Sequence, residues 1–229
     1  MTNIAVIPAR GGSKRIPRKN IKTFHGKPLI SYSIEAAMKS ECFDRIIVST
    51  DDEEIAEISI KFGAEVPFFR SNDLSNDFAG TTPVIQDTIL QLDDNNIEYI
   101  CCIYATAPML SYEDIRSGLN SITSEKDCNY AFSITTYDFP VQRSLLLNQQ
   151  NKVAMHNPNL FNSRSQDLEE CWHDAGQFYW GTKDAWEKGL PIFSSNAIGL
   201  KLPRHRVQDI DTLEDWHMAE MLYQIWSKD

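Results

Sequence analysis

The chain has 229 residues, 42% of them hydrophobic, and a formal net charge of −10, a balance that suits a globular domain with one substantial core. No stretch approaches the ~20 apolar residues of a membrane-spanning helix, and the acidic surplus argues against non-specific nucleic-acid binding. Five cysteines (Cys42, Cys101, Cys102, Cys128, Cys171) form an odd set without CxxC spacing, so reduced thiols packed as small apolar groups are expected, not a disulfide or zinc framework. The first residues are apolar only over Ile4–Pro8, with no basic lead-in and no cleavage site; no signal peptide is expected, and the protein reads as cytoplasmic.

Ile4-Ala5-Val6-Ile7 reads as a buried strand. It leads into a loop carrying six cations (Arg10, Lys14, Arg15, Arg18, Lys19, Lys22) in thirteen residues without an acid. Leu29 to Lys39 has helical periodicity, with Ile30, Ile34, Ala37 and Met38 on one face. Arg45–Thr50 is a second strand, and Asp51–Glu54 opens a helix with acids where its dipole favours them; Gly63 ends that helix. Glu65–Phe69 reads as a short third strand at an edge. A helix over Thr81–Leu92, a fourth strand over Tyr99–Tyr104 and a helix over Tyr112–Thr123 follow. This alternation predicts a parallel sheet with helices on both faces, whose ligands bind beyond the carboxyl ends of the strands. The rule gathers Ala9–Asn20, Ser49–Asp51, Arg70–Thr81 and Tyr104–Pro108 at one rim.

After Ala131–Ile134 the alternation stops. Residues from about 137 to 175 are polar and irregular, with weak strand signals at Leu145–Leu147 and Val153–Met155; such an insert is expected to cap a site or meet a second subunit. Regularity returns at Gln177–Trp180. A closing helix from Thr212 sets Leu213, Trp216, Ala219, Leu222, Ile225 and Trp226 on one stripe.

The loop Ala9–Asn20 is neither a Walker loop nor a GxGxxG fingerprint, yet it has the physics of a phosphate cradle. Gly11 and Gly12 let main-chain N–H groups approach an anion without a Cβ in the way. Arg10 and Lys19 are placed to offset charge on a transferring or departing phosphate. Ile16-Pro17 should hold the far half extended, so that Lys19 and Asn20 point back. A basic run alone is more often a solvated loop; its place at the ligand rim favours the cradle.

Asp209-Ile210-Asp211 puts two carboxylates on one face of an extended segment, the hard oxygen donors that magnesium prefers. Spacing alone leaves a second account equally open: Asp211-Thr212-Leu213-Glu214 as a capping box, with Asp211 the N-cap. The five histidines (His25, His156, His173, His205, His217) show no metal-ligand spacing.

The segment Ile7–Asn20 closely resembles the signature of the acylneuraminate cytidylyltransferases, the CMP-sialic acid synthetases. The resemblance continues in order through Ile46–Asp51, Arg70–Thr81, Ala105–Pro108 and Asp209–Asp211. It implies an α/β, Rossmann-like three-layer nucleotide-diphospho-sugar transferase fold with a mostly parallel sheet. Residues 1–229 would form a single domain, with the insert at about 137–175 lying at a subunit interface and over the sugar site. It also implies a homodimer that uses CTP and Mg2+: the 2-hydroxyl of a nine-carbon nonulosonic acid attacks the α-phosphate of CTP, and pyrophosphate leaves.

Matched position by position, Arg10, Ser13, Lys14 and Lys19 fall on the triphosphate, beside Gly11 and Gly12. Asn20, Arg70, Ala79, Gly80 and Thr81 fall on the cytidine pocket, where small residues expose main-chain groups to a base edge. Thr81 fits a helix N-cap as readily, and the two roles are compatible. With the resemblance, Asp209 and Asp211 are read as metal ligands, and Arg10, Lys19 and Asp211 as the catalytic set. The acceptor of the hydroxyl proton stays open between a metal-bound water, a hydroxyl acidified by magnesium, and Asp211.

Tyr137–Arg143 and Trp172–Trp180 hold candidate sugar contacts. Arg143 and Arg164 both suit a sugar carboxylate through planar bidentate pairing. Gln142, Gln177 and Tyr179 suit acylamino and hydroxyl groups, with Tyr104 and His173 beside them. Phe178 and Trp180 fit ordinary core packing, and His173 fits a structural histidine at least as well as a base. The Tyr104–Pro108 loop lacks the aspartate carried by some relatives that act on eight-carbon sugar acids, and Tyr104 stands where sialic acid enzymes more often have glutamine. Both sugar segments resemble pseudaminic acid cytidylyltransferases more than those acting on neuraminate, so pseudaminic acid is the expected substrate, with legionaminate and neuraminate as alternatives.

Two other classes remain. A metal-dependent glycosyltransferase would carry a similar aspartate pair, though normally mid-chain after a central strand. A non-catalytic nucleotide- or RNA-binding module would use the basic loop, but the acidic remainder and the lack of an aromatic base-stacking run disfavour it. Neither a nucleic acid nor a membrane is expected as a partner.

Overall fold

The computed structural model describes residues 2–227. A six-stranded sheet is built from β1 (Thr2–Pro8), β4 (Arg45–Ser49), β5 (Ile97–Ile103), β6 (Tyr130–Thr136), β9 (Trp172–Thr182) and β10 (Ala197–Lys201), in the order β10-β6-β9-β5-β1-β4. The β1–β4, β1–β5 and β10–β6 pairs are parallel. β9 runs antiparallel between β5 and β6, so the sheet is mixed and mostly parallel. Two short hairpins stand apart from it: β2 (Thr23–Phe24) with β3 (Lys27–Pro28), and β7 (Leu145–Leu147) with β8 (Val153–Met155).

Side chains alternate across the sheet. Ala5 and Ile7 of β1 pack in one core layer with α1 (Leu29–Ser40), α2 (Glu53–Lys61) and α4 (Tyr112–Ser124). Ile4 and Val6 pack in the other with α3 (Thr81–Leu92) and α5 (Lys183–Lys188). Both faces are covered, which is why β1 is a continuous apolar run instead of an alternating one. Phe178 and Trp180 are fully buried core residues, the indole N–H of Trp180 donating to the Ile115 carbonyl at 2.9 Å. Cys101 and Cys102 are buried in the same sheet as free thiols.

The structure corrects several expectations. Glu65–Phe69 makes only isolated bridges to Ile47 and Thr50, because Pro67 has no N–H to give a ladder. His173–Ala175, assigned to the insert, lie in β9, which starts at Trp172. On α6 (Leu213–Trp226), Trp216 and Ala219 are buried but Leu213 and Ile225 are 56% and 58% exposed. That helix docks through a separate cluster of Ile16, Phe24, Leu29, Tyr32, Ile210, Trp216 and Ala219, so only part of its stripe is covered. Thr81 is the first residue of α3 and Gly80 is its N-cap, which removes the capping role considered for Thr81.

The capping box of α6 sits one residue later than Asp211 would require. Thr212 is the N-cap; its hydroxyl accepts from the Asp215 N–H at 3.2 Å, and Asp215 accepts from the Thr212 N–H at 2.8 Å. Asp211 contributes only its own N–H, to Asp215 at 3.1 Å, so its carboxylate is free of capping. Thr212→Ala should therefore cost about 1 kcal/mol of stability, read as a lower Tm. Asp211→Asn should stay within about 0.5 kcal/mol of the parent; an equal loss in both would return Asp211 to the cap.

Candidate active site

The rim beyond β1, β4 and β5 holds a cavity of about 380 Å³. Among the residues lining it are Arg10, Ser13, Lys14, Arg15, Lys19, Asn20, Arg70, Ala79, Gly80, Thr81, Tyr104, Asp209 and Asp211. Segments far apart in sequence thus meet where the strand-end rule for α/β sheets places ligands.

The loop after β1 is held from three sides. Ile16 is 1% exposed in the aromatic cluster that also contains Ile210, so burying one apolar side chain from each segment brings loop and aspartates together. Arg18 adopts a left-handed conformation (φ 57°) and grips Asp52 with both guanidinium nitrogens, at 2.5 and 2.8 Å; Asp52 in turn caps α2 by accepting from the Ile55 N–H at 3.0 Å. The Gly11 N–H donates to Asp51 at 2.9 Å, so this amide is turned to the scaffold and not free for an anion. A Cβ on Gly11 would lie 2.6 Å from an Asp52 oxygen, while one on Gly12 would meet nothing within 4 Å. Close packing against Asp52 requires glycine at position 11, whereas the space around Gly12 would accept a side chain. Lys19 and Asn20 do point back, by a tight turn over Lys19–Ile21 and not by an extended strand.

The cations are already matched with acids. Arg10 contacts Asp77 at 2.8 Å and Lys14 pairs with the same carboxylate; these two cations hold the Asp77 carboxyl below the usual range, Lys14 foremost. Arg15 lies 2.9 Å and Lys19 3.3 Å from Asp211. The Lys19 ammonium also donates to the Ile210 carbonyl at 2.5 Å. Burial first, then the Asp211 charge, push the Asp209 carboxyl above its ordinary value, and Lys19 pulls it back. Arg70 is buried, donates to the Ser75 hydroxyl at 3.2 Å, and has its guanidinium pKa lowered by that burial. Asn20 is buried too, its amide donating to the Arg10 carbonyl at 3.0 Å, so it shapes the loop as well as lining the cavity.

A second cavity of about 700 Å³ shares Tyr104 and Asp209 with the first. Thr135, Thr136, His173, Asp174, Arg204, Gln208, Met218 and Leu222 are among its lining residues. His173 holds its ring against the Asp174 carbonyl at 2.8 Å. Tyr179 is buried behind this wall and donates to the Asp174 carboxylate at 2.5 Å; burial pushes its phenol pKa far up, so it stays a donor. Tyr104, whose pKa burial also raises, lies 3.3 Å from the Thr81 hydroxyl through its own.

The remaining residues suggested for sugar contact lie elsewhere in this chain. Gln177 is buried with its amide donating to the Arg206 carbonyl at 2.6 Å. Gln142 donates to the Glu169 carbonyl at 2.7 Å, and exposed Arg164 pairs with Asp167 at 2.7 Å. Gln142, Arg143 and Arg164 line neither cavity. Conversely Asp174 and Arg204, which face the second cavity, were not singled out from sequence. Asp174 lay inside a segment of interest, and Arg204 sits five residues before Asp209; only the antiparallel run of β9 and the loop after β10 bring them together.

Two carboxylates on one wall and a set of cations on the other suit a polyphosphate bound with a divalent ion. Asp209 and Asp211 offer the hard oxygen donors that suit magnesium, whose remaining ligands would have to come from nucleotide oxygens and water.

Known proteins resemble this chain in sequence and in fold. The profile of the family described as Cytidylyltransferase matches residues 4–177. A Campylobacter jejuni protein named pseudaminic acid cytidylyltransferase is 45% identical over 98% of this chain and 97% of its own. A Legionella pneumophila protein named CMP-N,N'-diacetyllegionaminic acid synthase is 30% identical over 98% and 97%. The solved structure of a CMP:2-keto-3-deoxy-manno-octonic acid synthetase complexed with CTP superposes with a TM-score of 0.71 over 98% of this chain and 99% of its own, at 17% identity, a likeness of fold. On the sequence profile and on the nearly full-length identity, this chain belongs to the cytidylyltransferase family.

Proposed function

We propose that the enzyme transfers CMP from CTP to the 2-hydroxyl of a nine-carbon nonulosonic acid, pseudaminic acid before legionaminic or neuraminic acid, and releases pyrophosphate. The observation that carries this reading is Lys19, which joins the cationic loop to the Asp209–Asp211 segment where the two cavities meet. The names of the Campylobacter and Legionella relatives support the same chemistry and the same class of sugar.

In this reading the first cavity takes CTP. Arg10, Ser13 and Lys14 hold the triphosphate, exchanging the Asp77 carboxylate for phosphate oxygens. The buried Arg70, with Ala79, Gly80 and Thr81, receives the cytidine, and Lys19 offsets charge on the transferring phosphate. Asp209 and Asp211 would hold magnesium, which when bound supplies positive charge against the α-phosphate and pyrophosphate oxygens. The second cavity takes the sugar. Asp174 and His173 face its polar groups, Tyr179 fixes Asp174, and Arg204 is the cation of the same chain that meets the carboxylate. The sugar hydroxyl attacks directly, so no covalent enzyme intermediate is needed.

A homodimer through the insert belongs to this proposal. Phe139, Leu145, Leu146, Leu147, Val153 and Phe161 are all more than half exposed, an apolar surface of the kind that marks an interface. Arg143 and Arg164 lie on this insert, from where they would serve the sugar cavity of a second copy.

Incubation with CTP, magnesium and pseudaminate, legionaminate or neuraminate, reading pyrophosphate, should give the highest kcat/KM with pseudaminate. Lys19→Ala should lower kcat by about 10²–10³-fold. Release with none of the three sugars would overturn the reading, and transfer from a ready-made CMP-sugar would point to a glycosyltransferase. In sedimentation the parent should run at twice the chain mass and Leu146→Lys at the single-chain mass; a monomeric parent would remove the dimer.

A further inference from the structure

The segment that carries both aspartates leaves the sheet after β10 and holds only one turn, Arg204–Arg206, before α6. Two carboxylates two residues apart repel one another, so holding both toward one point needs support from the chain around them. A segment with so little regular structure does not keep them converged by itself. Arg206, three residues before Asp209, is tied from two directions. Its guanidinium pairs with Asp114 in the first turn of α4, and the two side chains are 16% and 19% exposed, the most enclosed ion pair among the described residues. Its carbonyl accepts the 2.6 Å hydrogen bond from Gln177 of β9. Neither Arg206 nor Asp114 lines either cavity, so neither is placed to touch a substrate.

We propose that Asp114 and Arg206, with Gln177 behind them, are positioning residues that hold the Asp209–Asp211 segment in the form that receives the divalent ion. The inference rests on the reading of those aspartates as metal ligands. Enclosure makes the pair matter. An exposed ion pair contributes little to order, but removing one partner of an enclosed pair leaves a desolvated charge that must find water. For Arg206, reaching water means moving the backbone that leads to Asp209. Gln177 then acts through the Arg206 carbonyl, not as a sugar contact.

Mn2+ retained with the protein in equilibrium dialysis, in the presence of CTP and without sugar, tests this without turnover. Asp114→Asn, Arg206→Met and Gln177→Met should each weaken Mn2+ binding, with Asp114→Asn and Arg206→Met by about 10-fold or more, while CTP binding without metal is unchanged. Arg206→Lys, which restores the charge, should recover part of the loss. The double variant Asp114→Asn with Arg206→Met should fall short of the product of its single losses, as expected of residues acting as a unit. If Arg206→Met does not fold, the milder Asp114→Asn and Gln177→Met decide the matter.

Variants that melt earlier but bind Mn2+ like the parent would make the pair a structural brace and overturn the proposal. A parent protein that binds no Mn2+ with CTP would instead bring down the metal reading of Asp209 and Asp211, and the proposal with it.

Discussion

Lys19 makes the contact on which the site depends. Its ammonium reaches the Ile210 carbonyl at 2.5 Å and Asp211 at 3.3 Å, across 191 residues of sequence. That contact is affordable because Ile16 and Ile210 are buried in one small aromatic cluster beside it. Hydrophobic burial places the two segments, and the cation and carboxylates then meet at short range. Without the cluster, a basic loop and an acidic segment would be two solvated surface features with an interaction largely screened by salt.

The second constraint is electrostatic. Four cations of the loop, Arg10, Lys14, Arg15 and Lys19, are compensated by two aspartates, Asp77 and Asp211. In the proposed reading an entering triphosphate would take the place of a carboxylate on cations that are already paired with Asp77 and Asp211. Such preorganisation is the main way a protein lowers the barrier of a displacement at phosphorus. The Arg18–Asp52 grip and the Gly11–Asp51 hydrogen bond belong to the same design. They tie the cradle to the end of β4 and the start of α2, giving the Ser49–Asp52 stretch a supporting task.

Much of this was legible locally. The helix over Thr81–Leu92 and the two weak strands at Leu145–Leu147 and Val153–Met155 have the bounds their patterns suggest, because periodicity and turn chemistry act over a few residues. Six cations without an acid in one loop need negative partners from elsewhere, and Asp52, Asp77 and Asp211 supply them to Arg10, Lys14, Arg15, Arg18 and Lys19. What escaped depends on distant partners. The direction of β9 is set by the neighbours it pairs with, so the facing of Asp174 could not be read from its own segment. Gln177 has the composition of a sugar contact, but its partner is the carbonyl of Arg206. Asp211 has the residue type of an N-cap, but Thr212 takes that place, because only the backbone decides which side chain meets the N–H three residues on. Glu65–Phe69 has strand-like residues, but Pro67 denies it a ladder.

In the proposed function the cationic loop grips the triphosphate of CTP against the paired aspartates. A crystal structure with CTP and a divalent ion measures this directly. Phosphate oxygens are expected on Arg10, Lys14 and Lys19, with Asp77 released from its two cations and the ion on Asp209 and Asp211. Nucleotide bound elsewhere, with Asp77 still paired to Arg10 and Lys14, would contradict it.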